Sequence, residues 1–227
     1  MTSQHLSVIP NSMNQFTGTG LTCVRGDHVV FTELDFAVDP GDVLVLSGPN
    51  GSGKTSLLRV MAGIAKPAAG KILWHGQNVA NEPEKFFADI HYVGHRNAVK
   101  MALTVRENLT FHCALRPGVC DIDGALEEAG LSRLANLPAR MLSAGQARRL
   151  ALARIHASPA TIWLLDEPTS TLDGLSVERI YGAIGRHRSQ GGIVITSTNL
   201  PLAFNNPKEI DLARFSETDR TVWGDLV

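Results

Sequence analysis

Gly48-Pro49-Asn50-Gly51-Ser52-Gly53-Lys54-Thr55 has the form G-x-x-x-x-G-K-T. It follows the apolar run Val43-Leu44-Val45-Leu46 and leads into Ser56-Leu57-Leu58-Arg59-Val60-Met61-Ala62, which reads as a helix. Strand, glycine loop and helix in that order separate a phosphate-binding loop from a turn that is merely rich in glycine. The glycines let the backbone curl until successive N–H groups face one point. That point is also the positive end of the following helix, where an anion is stabilised. Lys54 reaches the terminal phosphates and Thr55 offers a hydroxyl to Mg²⁺. Gly48 to Ser56 are therefore expected to bind a nucleoside triphosphate.

Working outward, the 227 residues allow one large domain or two small ones, and 44% hydrophobic residues allow a sizeable core. A formal net charge of −1 argues against nucleic-acid binding through bulk positive charge. The three cysteines, Cys23, Cys113 and Cys120, are odd in number and widely spaced, which predicts reduced thiols and no metal site. No apolar run is long enough to span a bilayer. The N-terminal Met-Thr-Ser-Gln-His lacks a basic stretch followed by an apolar one, so no secretory signal is expected. Any membrane component must then come from another chain.

Residues 1–17 are polar and read as a loose tail. Short strands are predicted near 20–24, 28–31 and 34–38, and another over 71–75. The helix of the phosphate loop should stop near Gly63. Thr104-x-x-Glu107 and Ser143-x-x-Gln146 are capping boxes, each opening a helix. Ile122, Ala125, Leu126 and Ala129 form a helical stripe between them, closed by Gly130. After Pro159 the pattern returns to strands at 161–165 and 193–196, with a helix between. Residues 209–215 and 221–223 read as a final hairpin. The expected architecture is an α/β core with a helical subdomain at about 86–158.

The strand Thr161-Ile162-Trp163-Leu164-Leu165 ends in Asp166-Glu167-Pro168. Acidic residues at the end of an apolar strand are the usual partners of a phosphate loop. Asp166 is placed for the Mg²⁺ shell, and Glu167 for polarising an attacking water.

With Leu142-Ser143-Ala144-Gly145-Gln146 and Thr171-Leu172-Asp173 added, the chain resembles the ATP-binding subunits of ABC transporters along nearly its full length. The order is theirs: phosphate loop, helical insertion, signature, acidic strand, crossing loop. The resemblance implies an α/β phosphate-loop NTPase of the ABC ATPase fold, with an antiparallel β subdomain and a helical subdomain, forming one ATP-binding domain over 18–227. It implies ATP and Mg²⁺ as cofactors. Ser143, Gly145 and Gln146 would face the γ-phosphate held by a second copy, and Asp173 would lie in the loop that crosses the dimer interface. Each chain of the homodimer then carries two half-sites and completes neither.

Three positions depart from the family pattern. Asn199 stands where histidine normally contacts the γ-phosphate and the attacking water. Asparagine donates a hydrogen bond but carries no proton at neutral pH, which predicts slower hydrolysis with ATP binding retained. His95 replaces the glutamine that senses Mg²⁺ and faces the membrane partner; its plain alternative is a polar loop histidine. Arg25 takes the place of the aromatic residue that stacks on adenine; its alternative is a solvated charge.

Tyr92-Val93-Gly94-His95, Leu103-Thr104-Val105-Arg106-Glu107-Asn108-Leu109, Trp163-Leu164-Leu165-Asp166-Glu167 and Gly70-Lys71-Ile72-Leu73-Trp74-His75-Gly76 are similar to the ATPases of cytochrome c maturation haem exporters. That likeness implies a subunit bound peripherally to the cytoplasmic face of a bacterial inner membrane. Its partners would be an integral permease and haem-handling membrane proteins, with no nucleic acid. His91, His95 and His112 adjoin no Cys-x-x-Cys-His and read as ordinary loop and helix residues rather than haem ligands. Competing readings are an ATP-gated clamp with weak hydrolysis, an exporter of lipid, drug or peptide, and a soluble ABC ATPase acting on ribosomes or DNA.

Overall fold

The computed structural model describes residues 14–198, 204 and 206–215. In chain order the elements are β1 (Phe16–Arg25), β2 (His28–Val38), β3 (Val43–Ser47), α1 (Lys54–Met61), β4 (Ala69–Trp74), β5 (Gln77–Asn78), α2 (Pro83–Asp89), β6 (Ile90–Val93), α3 (Val105–Ala114), α4 (Ile122–Glu128), α5 (Ala144–Ala157), β7 (Ile162–Asp166), α6 (Gly174–Ser189), β8 (Ile193–Ser197) and β9 (Lys208–Asp211). They build an antiparallel sheet, β2-β1-β4-β5, and a parallel sheet, β6-β7-β8-β3-β9.

Every residue of β7 and β8 is buried, as expected of strands covered on both faces. Their side chains divide with period two. Leu44, Leu46, Ile162, Leu164, Ile193 and Ile195 join α1 and the antiparallel sheet in one core. Val43, Val45, Trp163, Leu165 and Val194 face the other way, onto α5 and α6. A third cluster, including Val105, Leu109, Leu126, Leu131 and Leu150, packs α3, α4 and the outer side of α5 together. Each fully buried leucine in these clusters contributes about 1.5–3 kcal/mol.

Parallel pairing brings the carboxyl ends of β3, β8 and β7 to one edge. Leu46 pairs with Ser197, and Ser197 with Asp166. Ligands of open α/β sheets bind at this edge, and the phosphate loop leaves β3 there.

Several expectations are corrected. β1 starts at Phe16, which is fully buried, so the polar tail ends before residue 17. The strands expected at 28–31 and 34–38 are one strand with a bulge: Cys23 pairs with Phe31 and Leu21 with Leu34, leaving one extra residue on β2, and Glu33 takes φ 51°. β6 pairs with β7 inside the parallel sheet, so the helical layer begins later than residue 86. Lys208–Asp211 is a parallel partner of β3 rather than a hairpin arm; the other arm, 221–223, lies outside the described residues. Cys113 and Cys120 are joined as a disulfide rather than being free thiols, and Cys23 is the buried free cysteine. The cause is the Arg116-Pro117-Gly118 turn between α3 and α4, which brings the two Cα atoms to 6.2 Å, within disulfide range.

Candidate nucleotide site

The loop between β3 and α1 carries Gly48, Gly51 and Gly53 at φ 126°, 87° and 100°. A Cβ on Gly53 would stand 2.6 Å from Val30 Cγ1, so β2 lies directly against the loop and only glycine fits. Gly53 is also the N-cap of α1 and offers no side chain to its first N–H groups. Those donors remain for an anion. Pro49, Asn50 and Gly51 are exposed at the crest, whereas Ser52, Lys54 and Ser56 are buried. Ser52 Oγ is buried with no hydrogen-bond partner among the described residues, a donor placed inside the cradle and left over by the fold. Lys54 Nζ folds over the loop and donates to the carbonyls of Gly48 at 2.7 Å and Pro49 at 3.0 Å. The residues present fit a polyphosphate.

Asp166 is 2% exposed at the end of β7. Its Oδ2 accepts from Thr55 Oγ1 at 2.8 Å, and its Oδ1 accepts from Ser197 Oγ at 2.7 Å. The donors are hard oxygens, and the set is small. That fits Mg²⁺, which keeps several waters and takes substrate phosphates as ligands. Among the described residues no group of three or more His, Cys, Asp or Glu could hold a metal by itself.

Glu167 has φ 47°, a left-handed conformation that costs a non-glycine residue about 1–3 kcal/mol. Its surroundings over-determine it. Its N–H donates to Ser197 Oγ at 3.0 Å. Its carbonyl accepts from Ser170 Oγ at 3.0 Å and Arg148 Nη2 at 2.9 Å. The carboxylate is partly open to solvent, and its Oε2 lies 3.6 Å from Nδ1 of the exposed His95. His95, in the exposed loop after β6, thus stands beside the water-activating candidate. Asn199 lies outside the described residues.

The signature corner is the N-terminus of α5. Ser143 Oγ accepts from the Gln146 N–H at 3.3 Å, and Gln146 Oε1 accepts from the Ser143 N–H at 2.9 Å. Both side chains are committed to the capping box. An incoming anion would meet backbone N–H groups. A Cβ on Gly145 would come 3.0 Å from the Thr171 carbonyl, which sets signature and crossing loop side by side. Asp173 caps α6, accepting from the Ser176 N–H at 2.8 Å; hydrogen bonds from Ser176 hold its carboxyl below the usual range. Ser143 and Asp173 are both exposed. Arg25 is exposed at the end of β1, paired with His28 at the hairpin turn.

The structure thus gathers Gly48–Ser56, Asp166, Glu167 and His95 at one edge. It sets Ser143, Gly145 and Asp173 together at a separate corner. Two residues given no role by sequence reasoning belong to the first group. Ser197 falls one residue past the strand expected at 193–196, and the structure makes it the last residue of β8 at the ligand edge. Arg148, buried one turn inside α5, carried no such signal.

His91 is structural. Its ring is buried and Nε2 donates to the Ser158 carbonyl at 2.9 Å. Burial first, and the charge of Arg116 second, push it down from 6.5 to about 3. Between those values the unfolded chain takes up a proton that the folded chain refuses. Stability present above pH 6.5 is therefore lost on acidification, at a rate approaching about 1.4 kcal/mol per pH unit. Denaturant titrations from pH 7 to 5 are expected to show this slope in the parent and a shallower one in His91→Gln. Equal slopes would remove His91 as the cause.

A sequence profile described as "ABC transporter" matches residues 31–170. The chain is 46% identical over 210 residues to the "Cytochrome c biogenesis ATP-binding export protein CcmA" of Paramagnetospirillum magneticum, covering 90% of this chain and 97% of that relative. It is likewise 46% identical over 208 residues to the protein of the same description from Rhodospirillum rubrum, covering 91% and 89%. Among solved structures, an ABC transporter ATP-binding protein from Pyrococcus furiosus superposes with a TM-score of 0.77 at 26% identity, covering 89% of this chain and all of that one. A dimeric ATP-binding cassette in a post-hydrolysis state with ADP and Pi has a TM-score of 0.73 at 24% identity, covering 82% and 88%, and shares the fold.

Proposed function

The chain belongs to the ABC transporter family and is an ABC ATPase; from that premise we propose that it is the ATP-hydrolysing subunit of a membrane exporter serving cytochrome c biogenesis, with haem delivery as the process it powers. The cargo reading rests on the 46% identity to the P. magneticum export protein over nearly the whole chain. Gly48–Ser56 hold the phosphates, with Lys54 on the terminal ones. Thr55 and Asp166 hold Mg²⁺, which when bound neutralises charge on the phosphate oxygens. His95 stands near that shell through Glu167, which takes the proton of the attacking water. Arg25 stacks on the base, and Asn199 takes the role of the family's histidine as a hydrogen-bond donor to the γ-phosphate.

The observation that carries the assembly is the exposed N-terminus of α5, whose capping side chains are already occupied. A second copy docked head to tail brings a γ-phosphate to the N–H groups there, with Gly145 and Asp173 at the interface. Two ATP molecules then close the homodimer, and hydrolysis releases it. Among the described residues no helix is long and apolar enough to cross a membrane. Attachment to the cytoplasmic face of the inner membrane therefore runs through a separate permease and its haem-handling partners.

Disrupting the gene in its host and staining membrane and periplasmic fractions for covalent haem tests this reading. Loss of c-type cytochromes is expected, restored by the parental gene and not by Lys54→Ala. Undiminished staining would refute the cargo assignment. Asn199 favours one second reading, an ATP-gated clamp. Phosphate release from the purified complex, measured against ATP-driven dimerisation, separates the two: a clamp dimerises on ATP with only weak turnover.

A further inference from the structure

We infer that Arg148 is a positioning residue for hydrolysis: it holds the Glu167 backbone and the His95 loop in register with each other and with the signature end of α5. The inference rests on the reading of Glu167 as the water-activating group.

Arg148 is 1% exposed, and its guanidinium is matched donor for acceptor. Nη2 donates to the carbonyls of Asp166 at 2.7 Å and Glu167 at 2.9 Å. Nε donates to the carbonyl of Pro168 at 3.3 Å. Nη1 turns the other way, to the Gly94 carbonyl at 2.8 Å and Asn97 Oδ1 at 3.2 Å. One planar fork therefore grips three consecutive carbonyls at and just beyond the end of β7, and both sides of His95. Those two segments carry the pair Glu167 and His95, 3.6 Å apart, and the strained backbone of Glu167 is held in part by this fork. All five donors of arginine are used, and the partners come from two separate segments. Lysine keeps the charge but presents a point rather than a fork and cannot span both segments.

The side chain leaves α5 five residues after Ser143, about 7.5 Å along the helix axis. Any shift of that helix end, as when an anion docks on it, moves the root of the fork. Arg148 is thus the contact through which α5 bears on Glu167 and His95 together.

Steady-state ATP hydrolysis by the purified protein tests this, using Arg148→Lys, Asn97→Ala and the double variant, with Glu167→Gln alongside. Activities are expressed per folded molecule, with melting curves recorded. For Arg148→Lys a fall in kcat of about 10²-fold is expected, the scale of a 1 Å misplacement, with KM for ATP within about twofold of the parent. Asn97→Ala, a loop change that removes one acceptor, should lower kcat about fivefold with an unchanged melting temperature, and the double variant should be no worse than Arg148→Lys alone. A purely structural arginine would shift melting and leave kcat per folded molecule alone. If both single variants keep kcat within twofold, the inference fails, and if Arg148→Lys does not fold, Asn97→Ala decides. If instead Glu167→Gln hydrolyses ATP at the parental rate, the Glu167 reading fails and the inference falls with it.

Discussion

Replacing Glu167 with glutamine is expected to reduce ATP hydrolysis by about 10²–10⁴-fold, the contribution of a positioned general base, while ATP still binds. Glutamine keeps the shape of the side chain and removes its capacity to take a proton. The backbone cost at this position is unchanged, because φ 47° is equally unfavourable for glutamine and is held by Ser197, Ser170 and Arg148 acting on main-chain atoms. The phosphate loop and Asp166 are also untouched, since Thr55 and Ser197 satisfy Asp166 independently of the Glu167 carboxylate. Single-turnover hydrolysis with radiolabelled ATP reads the chemical step. Sedimentation with ATP and Mg²⁺ reads the assembly, and a dimer that persists is expected for the variant. Hydrolysis at the parental rate would pass the role to another group, with His95 the nearest candidate.

How far the sequence disclosed this site depends on the distance over which each contact closes. Both capping boxes are relations between residues three apart, and both form. The phosphate loop is equally local. Its glycine angles and the strand and helix on either side follow from one octapeptide. The burial of β3, β7 and β8 on both faces was legible as continuous apolar runs, though not which face met which core. The hub around Arg148 was not legible, because its acceptors lie 18 to 20 residues away on one side and 51 to 54 on the other. The pairing of β9 with β3 joins segments more than 160 residues apart and leaves no periodic trace in a strand of four. The Cys113–Cys120 bond was misjudged for another reason. Count and spacing describe what cysteines do on average, whereas the Pro117-Gly118 turn sets where these two stand.

Lys54→Ala is expected to weaken ATP binding by at least about 10²-fold, the loss of roughly 3 kcal/mol that follows when charge-assisted bonds to phosphate are removed. In the ligand-free protein the ammonium already sits inside the loop, on the carbonyls of Gly48 and Pro49. The bulk of its stem is buried, with 7% of the residue exposed, so little rotamer entropy remains to be lost when a phosphate arrives. That preorganisation is why the effect should appear in affinity and not only in turnover. Alanine also leaves the two carbonyls facing into the loop without their cation, which opposes an anion at the same point. Fluorescence titration with a labelled ATP analogue measures the affinity. Circular dichroism of the ligand-free variant checks that α1, whose first residue is Lys54, still forms; alanine is the strongest helix former, so it should. Lys54→Arg serves as the discriminating partner. It restores the charge but carries a larger head into a cradle where Gly53 already abuts Val30, so binding should stay impaired. A folded Lys54→Ala that binds ATP within threefold of the parent would mean that the phosphates are held elsewhere, and the assignment of Gly48–Ser56 would have to be abandoned.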